Sequence, residues 1–222
     1  TASVWWAELP ILLTYTANWF HPTTFMGVAW SLAAEEQFYL VWPPLERWLR
    51  RFVPWVLAIA LACSQAVQFG LADPLLADLG FGPDEPYMLR QTTFTPILVG
   101  VVLAHVLHDP RGFRRFHALL APRWTPYATL VPIVAICAFG PPDVSGWPRA
   151  TLHVLLTLFL ATVVVREDNG LAPVLRLWAV RRIGIVSYGM YLFHMIVVDV
   201  VGRGLEVAGV AIPGALFVGT LL

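Results

Sequence analysis

Two adjacent carboxylates, Glu35 and Glu36, lie inside the apolar stretch Trp30–Pro44, which reads WSLAAEEQFYLVWPP. A charged side chain at the centre of a membrane helix costs about 2.5 kcal/mol or more, so it faces a bundle interior or a water-filled cavity. Ser31 lies four residues before Glu35, and Tyr39 lies within one helical turn of both acids. The pair predicts either a carboxylate that orients a catalytic base or binds a substrate hydroxyl, or a polar clamp between helices.

A second polar group lies in the late segment SYGMYLFH. Ser187, Tyr191 and His194 follow the four-then-three spacing of one helix face. A neutral His can act as a general base, and a Tyr hydroxyl can stabilise developing charge. The alternative is aromatic packing around a hydrogen-bonded structural His. Asp199, five residues further on, is a lesser candidate.

Apolar helices must position both groups. Of the 222 residues, 58% are hydrophobic and 13% are charged, against about 25% charged in soluble domains. The sequence therefore predicts an all-α fold, a polytopic transmembrane helix bundle, as one integral-membrane domain over residues 1–222 that is truncated at both ends. About eight runs approach the roughly 20 residues that cross a bilayer. These runs are Val4–Phe20, Val28–Leu45, Phe52–Leu71, Arg90–His108, Trp124–Phe139, Arg149–Val165, Ile183–Val201 and Val207–Leu222.

The connecting segments alternate in charge. Eleven of the 14 Arg residues fall in Glu46–Arg51, Asp109–Arg123 and Arg166–Arg182, whereas Ala72–Tyr87 is acidic. Basic residues collect on the cytoplasmic side of membrane proteins, so we expect the three Arg-rich segments there and Ala72–Tyr87 outside. The net charge of zero gives no basic surface for nucleic acid.

The sequence offers no metal site or disulfide framework. Cys63 and Cys137 lie in apolar runs and are expected to be small buried side chains. His105 and His108 are three residues apart, but no acidic or Cys partner is near in sequence, so they are interpreted as interface residues.

WSLAAEEQFYLVWP closely resembles the hallmark WSLxVEEQFYLxWP segment of the acyltransferase-3 family of integral-membrane O-acyltransferases. The segment IGIVSYGMYLFH at Ile183–His194 is similar to the family's late IGxxSYxxYLxH segment. The stretch Tyr87–Ala104 resembles a middle helix that ends in LLxGxxLA, and LLTYTANWF resembles the helix before the hallmark. These pieces occur in family order across nearly the whole chain.

The resemblance implies a bundle of approximately ten helices in the bacterial inner membrane. It implies transfer of an acyl group, often acetyl, from a cytosolic donor such as acetyl-CoA to a hydroxyl of a cell-surface carbohydrate or glycosylated acceptor, with no permanently bound cofactor. The family's catalytic His lies in its first helix, which nothing here matches, so this segment is predicted to be inactive alone. Glu35 or Glu36 would hold that His or the acceptor, and Tyr191 or His194 would stabilise the tetrahedral intermediate.

One helix departs from the family pattern. An Arg and an Asp that are common in the middle helix fall on Thr93 and Thr95, and Arg90 is the nearest replacement on a different helical face. The residues predicted to bind substrate are Trp30, Ser31, Tyr39, Arg90, Ser187 and Tyr188.

Two other function classes are open. A proton-coupled transporter would use buried Glu and His as a relay, but it predicts inverted repeats, which the sequence does not show. A structural membrane scaffold would leave the buried Glu pair without a purpose. The acceptor, the acyl chain and the oligomeric state are not predicted.

Overall fold

The computed structural model describes residues 2–19, 29–80, 89–90, 93–141 and 144–207. Within these ranges the regular secondary structure is helical and contains no strand, as predicted. The predicted last span, residues 207–222, lies almost wholly outside the described residues.

The chain divides into two units. The first comprises residues 1–33 and 178–222, and the second comprises residues 34–177. The first unit contains α1, the first turn of α2, and α10; α2 continues into the second unit, which contains the other helices. The helices are α1 (Ala2–Leu13), α2 (Ala29–Trp48), α3 (Val53–Gln68), α4 (Asp73–Asp78), α5 (Thr95–His108), α6 (Pro110–Leu120), α7 (Thr125–Phe139), α8 (Gly146–Val165), α9 (Ala172–Leu175) and α10 (Trp178–Val207).

Prolines mark where the helices of the second unit begin. A Pro occupies one of the first two positions of α3, α4, α5, α6, α7 and α9. Pro is tolerated there because its missing N–H would have no partner within the helix. The side chain of Asp109 also caps α6 by accepting a hydrogen bond from Gly112 N at 2.8 Å. These local signals lie within the first turn of each helix and need no tertiary contact to specify where it starts.

The second unit is a bundle in which α3 packs on α5, and α7 packs on α8. Helix α5 also contacts α6 and α8, and α6 contacts α8. The side chains of Val53, Leu57 and Leu98 form the buried core where α3 meets α5. The bundle therefore holds the ends of its helices in fixed positions.

Large apolar side chains cover the outside of the helices. Phe139 is 89% exposed, Trp48 is 79% exposed and Trp55 is 70% exposed. Exposed apolar surface of this extent marks contact with lipid or with another protein. Arg50–Gln68 and Gly146–Val165 are long and apolar enough to cross a membrane, and the two halves of bent α10 add a third if they form one crossing. The other predicted spans stay predictions.

Three expectations about the loops and the cysteines differ from the structure. The segment Asp109–Arg123, expected as a basic loop, contains the amphipathic helix α6, and the loop Ala72–Tyr87 contains α4. Cys63 and Cys137, expected to be buried, are exposed free thiols because they lie on the outer faces of α3 and α7. An apolar run in the sequence does not show which face of the helix is buried in the core and which face is exposed.

Helix α1 ends earlier than the predicted span Val4–Phe20. Its last residue is Leu13, and the Thr14 hydroxyl donates to the Pro10 carbonyl oxygen at 2.7 Å. Tyr15 has a φ of 52°, which is the left-handed conformation that commonly ends a helix.

Candidate functional site

In the first unit, a hydroxyl pair joins α2 to α10. The hydroxyl of Ser31 is hydrogen-bonded to the hydroxyl of Tyr191, although the two residues are 160 positions apart in the sequence. Ser31 is half-buried and Tyr191 is 41% exposed. The polar group of α2 and the polar group of α10 therefore contact each other through Ser31 and Tyr191.

His194 extends this pair along α10. Its ring lies 5.5 Å from the Tyr191 ring, and its Nδ1 is hydrogen-bonded to the Tyr191 carbonyl oxygen. A carbonyl oxygen only accepts, so Nδ1 carries the hydrogen, and in the neutral ring Nε2 then carries the lone pair. Within the described residues, Nε2 is buried and has no hydrogen-bond partner. It can therefore accept a proton. We call Ser31, Tyr191 and His194 the hydroxyl–imidazole cluster.

The cluster coincides with a bend in α10. The helix axis turns by 57° between Trp178–His194 and Ile196–Gly202. In a regular helix the Tyr191 carbonyl would accept from the N–H four residues later, and here the His194 ring uses that carbonyl. A side chain inserted into the backbone ladder is an established cause of helix bending.

The neighbouring predicted residues do not join the cluster in the described structure. The Ser187 hydroxyl donates to the Gly184 carbonyl oxygen at 2.9 Å, within its own helix. Tyr188 is 59% exposed, and Trp30 is half-buried. The side chain of Asp199 lies outside the described part of the structure. Their predicted roles in substrate binding stay predictions.

The carboxylates Glu35 and Glu36 are both half-buried on α2. Neither one makes a hydrogen bond or ion pair with another residue in the ranges that the structure describes. The clamp interpretation thus has no partner residue within those ranges. Tyr39, predicted with them, is 60% exposed.

Arg90 has structural partners in the second unit. Its guanidinium lies 3.5 Å from the Asp73 carboxylate, and its carbonyl oxygen accepts from Arg149 at 3.0 Å. These contacts hold the turn before α4 and the start of α8. Substrate binding by Arg90 stays a prediction.

Thr95, where the family commonly has a charged residue, is 2% exposed. Its hydroxyl lies 2.8 Å from the Ser64 hydroxyl and accepts from Gln65 Nε2 at 2.9 Å. A neutral hydrogen-bond network therefore occupies this position between α5 and α3.

Sequence reasoning missed Glu8. This carboxylate is 7% exposed in α1, and Asn18 of the same unit is fully buried. Glu8 is an acidic residue inside the predicted span Val4–Phe20, so the criterion that identified Glu35 and Glu36 applies to it equally.

Two of the Arg-rich segments are tied together in the second unit. The Asp168 carboxylate binds Arg166 at 2.7 Å and Arg123 at 3.1 Å. Hydrogen bonds from Arg166 and then Arg123 hold the pKa of Asp168 well below its usual range, and the same carboxylate raises the pKa of Arg166. Gly170 N also donates to the Arg123 carbonyl oxygen at 3.0 Å, and the Tyr127 hydroxyl donates to the Gly170 carbonyl oxygen at 2.8 Å. We call these contacts the basal clasp.

Metal chemistry has no ready ligand set in the described residues. No group of three or more His, Cys, Asp and Glu side chains is placed there to hold an ion. His105 instead lies 3.5 Å from Glu46 and packs edge-on against Trp42.

Comparison with known proteins identifies relatives. The profile of a family described as an acyltransferase domain matches residues 1–222. The peptidoglycan O-acetyltransferase OatA of Listeria monocytogenes serovar 1/2a is 24% identical over 87% of this chain and 34% of its own length. YrhL of Bacillus subtilis strain 168, provisionally named a peptidoglycan O-acetyltransferase, is 26% identical over 82% of this chain and 32% of its own length. The chain thus spans about a third of the length of these relatives. No solved structure matches with statistical significance.

Proposed function

Because this chain belongs to the acyltransferase-3 family, we propose that it is the core of a membrane O-acyltransferase that acetylates a hydroxyl of a cell-wall carbohydrate. The names of the two relatives support a peptidoglycan acceptor. The donor in this proposal is cytosolic acetyl-CoA, acting as a substrate rather than as a bound cofactor.

The contact between Ser31 and Tyr191 carries the proposal. It joins the hallmark helix to the late motif, so the two segments that resemble the family most closely share one polar cluster. Among the described residues, Nε2 of His194 has no hydrogen-bond partner. Helix packing alone would not require such a nitrogen beside two hydroxyl groups.

The hydrogen bond of His194 supports a base role over a donor role. A neutral ring with its hydrogen on Nδ1 cannot donate from Nε2, so in this proposal His194 is the base and not the donor that stabilises the intermediate. The Tyr191 hydroxyl supplies that donor, and Ser31 holds it by hydrogen bonding. This assigns separate roles to two residues that the sequence left interchangeable.

The reaction balances with these two groups. In this proposal the cluster opens to admit the acceptor hydroxyl beside Nε2 of His194, which is buried in the structure, and the hydroxyl gives its proton to Nε2 as its oxygen attacks the thioester carbonyl carbon. The Tyr191 hydroxyl donates to the oxyanion of the tetrahedral intermediate. The intermediate then expels the CoA thiolate, which receives the proton from the imidazolium, and the ester product remains on the carbohydrate. Glu35 and Glu36 are proposed to orient the acceptor or a partner His of the full-length protein.

The location proposed is the bacterial inner membrane with the Arg-rich segments in the cytoplasm. Two helical segments long enough to cross a membrane, a third candidate in α10, and the alternation of Arg-rich and acidic segments support it. On this orientation the acetyl donor and the basal clasp are on the same side of the membrane.

The test compares cell-wall glycans by mass spectrometry in cells that carry the full-length gene, no gene, or the gene with Tyr191→Phe. We expect O-acetyl groups only with the intact gene and a loss of about 10²–10³-fold in transfer rate in the variant, as for removal of one oxyanion donor. Equal acetylation with and without the gene would contradict the proposal. If proton-coupled uptake is lost instead, the transporter interpretation is favoured.

A further inference from the structure

A groove of about 1350 Å³ opens in the second unit, where α2, α3, α5 and α6 meet. Apolar side chains of α3 and α5 form its walls, among them Leu57, Leu61 and Val101. Helix α3 begins and α5 ends beside the charged residues at one end of the groove, which we call its mouth. The proposed reaction does not use this groove.

Three arginines lie at the mouth of the groove: Arg50, Arg111 and Arg115. Within the described residues, none of their guanidinium groups makes a hydrogen bond or an ion pair. The arginines of the basal clasp, in contrast, are bound to a carboxylate. The mouth therefore presents guanidinium groups whose hydrogen-bond donors are available to a ligand.

The two acids at the mouth contact groups other than the three arginines. Glu46 lies 3.5 Å from His105, and Asp109 accepts from Gly112 N at 2.8 Å as the cap of α6. In the described part of the chain, no ion pair or hydrogen bond joins either carboxylate to one of the three guanidinium groups. The mouth thus favours an anion.

We propose that the groove binds an anionic phospholipid, with its phosphate at Arg50, Arg111 and Arg115 and one acyl chain along the walls. Basic pockets between membrane helices on the cytoplasmic side bind acidic lipid headgroups. The wall of α3 from Val53 to Leu61 rises about 12 Å, which matches a substantial part of an acyl chain. An apolar wall below a basic mouth fits an amphiphile better than a purely polar anion.

Helix α6 supports this placement. Its 11 residues carry arginines and apolar side chains on different faces, and Phe113 is 40% exposed. A short basic amphipathic helix with an aromatic side chain lies in the plane of the membrane interface, at the depth of lipid phosphates. The inference rests on the proposed membrane location and is independent of acyl transfer.

The experiment uses the full-length protein, recovered from the membrane fraction, delipidated and held in detergent. It is titrated with phosphatidylglycerol or with phosphatidylcholine of the same acyl chains, and bound lipid is counted by native mass spectrometry. We expect one tightly bound phosphatidylglycerol and weaker binding of phosphatidylcholine. The double variant Arg111→Ala with Arg115→Ala should weaken phosphatidylglycerol binding by about 25-fold, roughly fivefold per arginine.

Arg114→Ala is the matched control, because Arg114 lies on the same helix but does not line the groove. It should bind within about twofold of the wild type, since no phosphate contact is lost. Ala58→Phe provides a second test that removes no charge: Ala58 lines the groove, so the larger ring should obstruct the acyl chain, whereas Ile59→Phe on the outer side of α3 should not.

Three results would overturn the inference. One is equal weakening by Arg114→Ala and the double variant, which would indicate general surface charge. Another is equal binding of the two lipids. The third is displacement of the lipid by free coenzyme A at lower concentration, which would assign the groove to a soluble anion. If the intact full-length protein binds the lipid but transfers no acetyl group, the proposed reaction is contradicted and this inference stands.

Discussion

Replacing His194 by Asn separates a catalytic imidazole from a structural one. The Asn side chain places an amide N–H₂ near the position of Nδ1, so it can keep the hydrogen bond to the Tyr191 carbonyl oxygen. It has no atom at the position of Nε2, which is buried and unpartnered in the described structure. The substitution therefore removes the proposed base and retains the contact that accompanies the bend.

The expected size of the effect differs between the two roles. Removing a general base typically costs 10²–10⁴-fold in rate, which is about 2.7–5.4 kcal/mol of transition-state stabilisation. A His that only binds the Tyr191 carbonyl contributes about 0.5–1.5 kcal/mol to stability, and Asn retains most of that contribution. Per inserted protein, the structural role thus predicts a rate near that of the wild type, and the catalytic role predicts a rate at least about 100-fold lower.

The assay measures kcat/KM for acetyl transfer by the full-length protein in vesicles, normalised to the amount inserted. We expect His194→Asn to lose 100-fold or more, as is usual for a general base. His117→Asn, on exposed α6 and remote in sequence from the cluster, is the control and should match the wild type. If His194→Asn retains a third or more of the wild-type value, the base lies elsewhere and the tautomer argument is refuted.

Four further outcomes are expected. Glu36→Gln in the full-length protein should abolish acyl transfer while the protein still inserts, because the amide cannot hold a positive partner; wild-type turnover would remove Glu36 from the site. Gly170→Ala should lower stability by about 1–3 kcal/mol in thermal unfolding, since a Cβ there would lie 2.5 Å from a backbone carbonyl oxygen. Gly100→Ala, whose Cβ meets open space, is the control, and equal melting temperatures would argue against the clash. The pKa of Asp168 is lower in the folded protein than in the unfolded chain, because Arg166 and Arg123 bind its carboxylate. Its contribution to the free energy of unfolding is therefore complete above about pH 4 and is lost as the pH falls toward the lowered pKa. Asp168→Asn should remove this contribution and raise hydrogen exchange of the clasp at neutral pH; unchanged exchange would count against it. A membrane-impermeant reagent should label Asp109–Arg123 from the cytoplasmic side alone, and labelling from outside would reverse the topology.

Local sequence patterns predicted most of the helical framework. Apolar runs indicated helices, and the ends of α5, α7 and α8 agree with the predicted spans at His108, Phe139 and Val165. The prolines and the Asp109 cap act within one turn of the chain, so they are visible without tertiary information. Helix α6 was predicted as a loop because its arginines were interpreted only as a signal of sidedness, and the apolar residues between them were not tested for helical spacing.

The candidate site was only partly predictable. Spacing placed Tyr191 and His194 on one helix face, and the structure confirms their contact. The bond from Ser31 to Tyr191 depends on tertiary packing, so no local pattern contains it. Glu8 was predictable by the rule for acids in apolar runs, but it lacks the paired-acid pattern of Glu35 and Glu36. The hydrogen-bond network at Thr95 was not predictable, because its partners Ser64 and Gln65 lie about 30 residues earlier, on α3.

The basal clasp has a consequence for how α7 and α8 can move relative to each other. Helix α7 has 15 residues and rises about 22 Å, which is short for a hydrocarbon core of about 30 Å, whereas α8 has 20 residues and rises about 30 Å. The contacts of Arg123 and Tyr127 with Gly170 tie the start of α7 to the segment that follows α8. Because α7 and α8 pack on each other and the clasp joins these two ends, α7 cannot slide along α8 to offset its shorter rise without breaking the clasp.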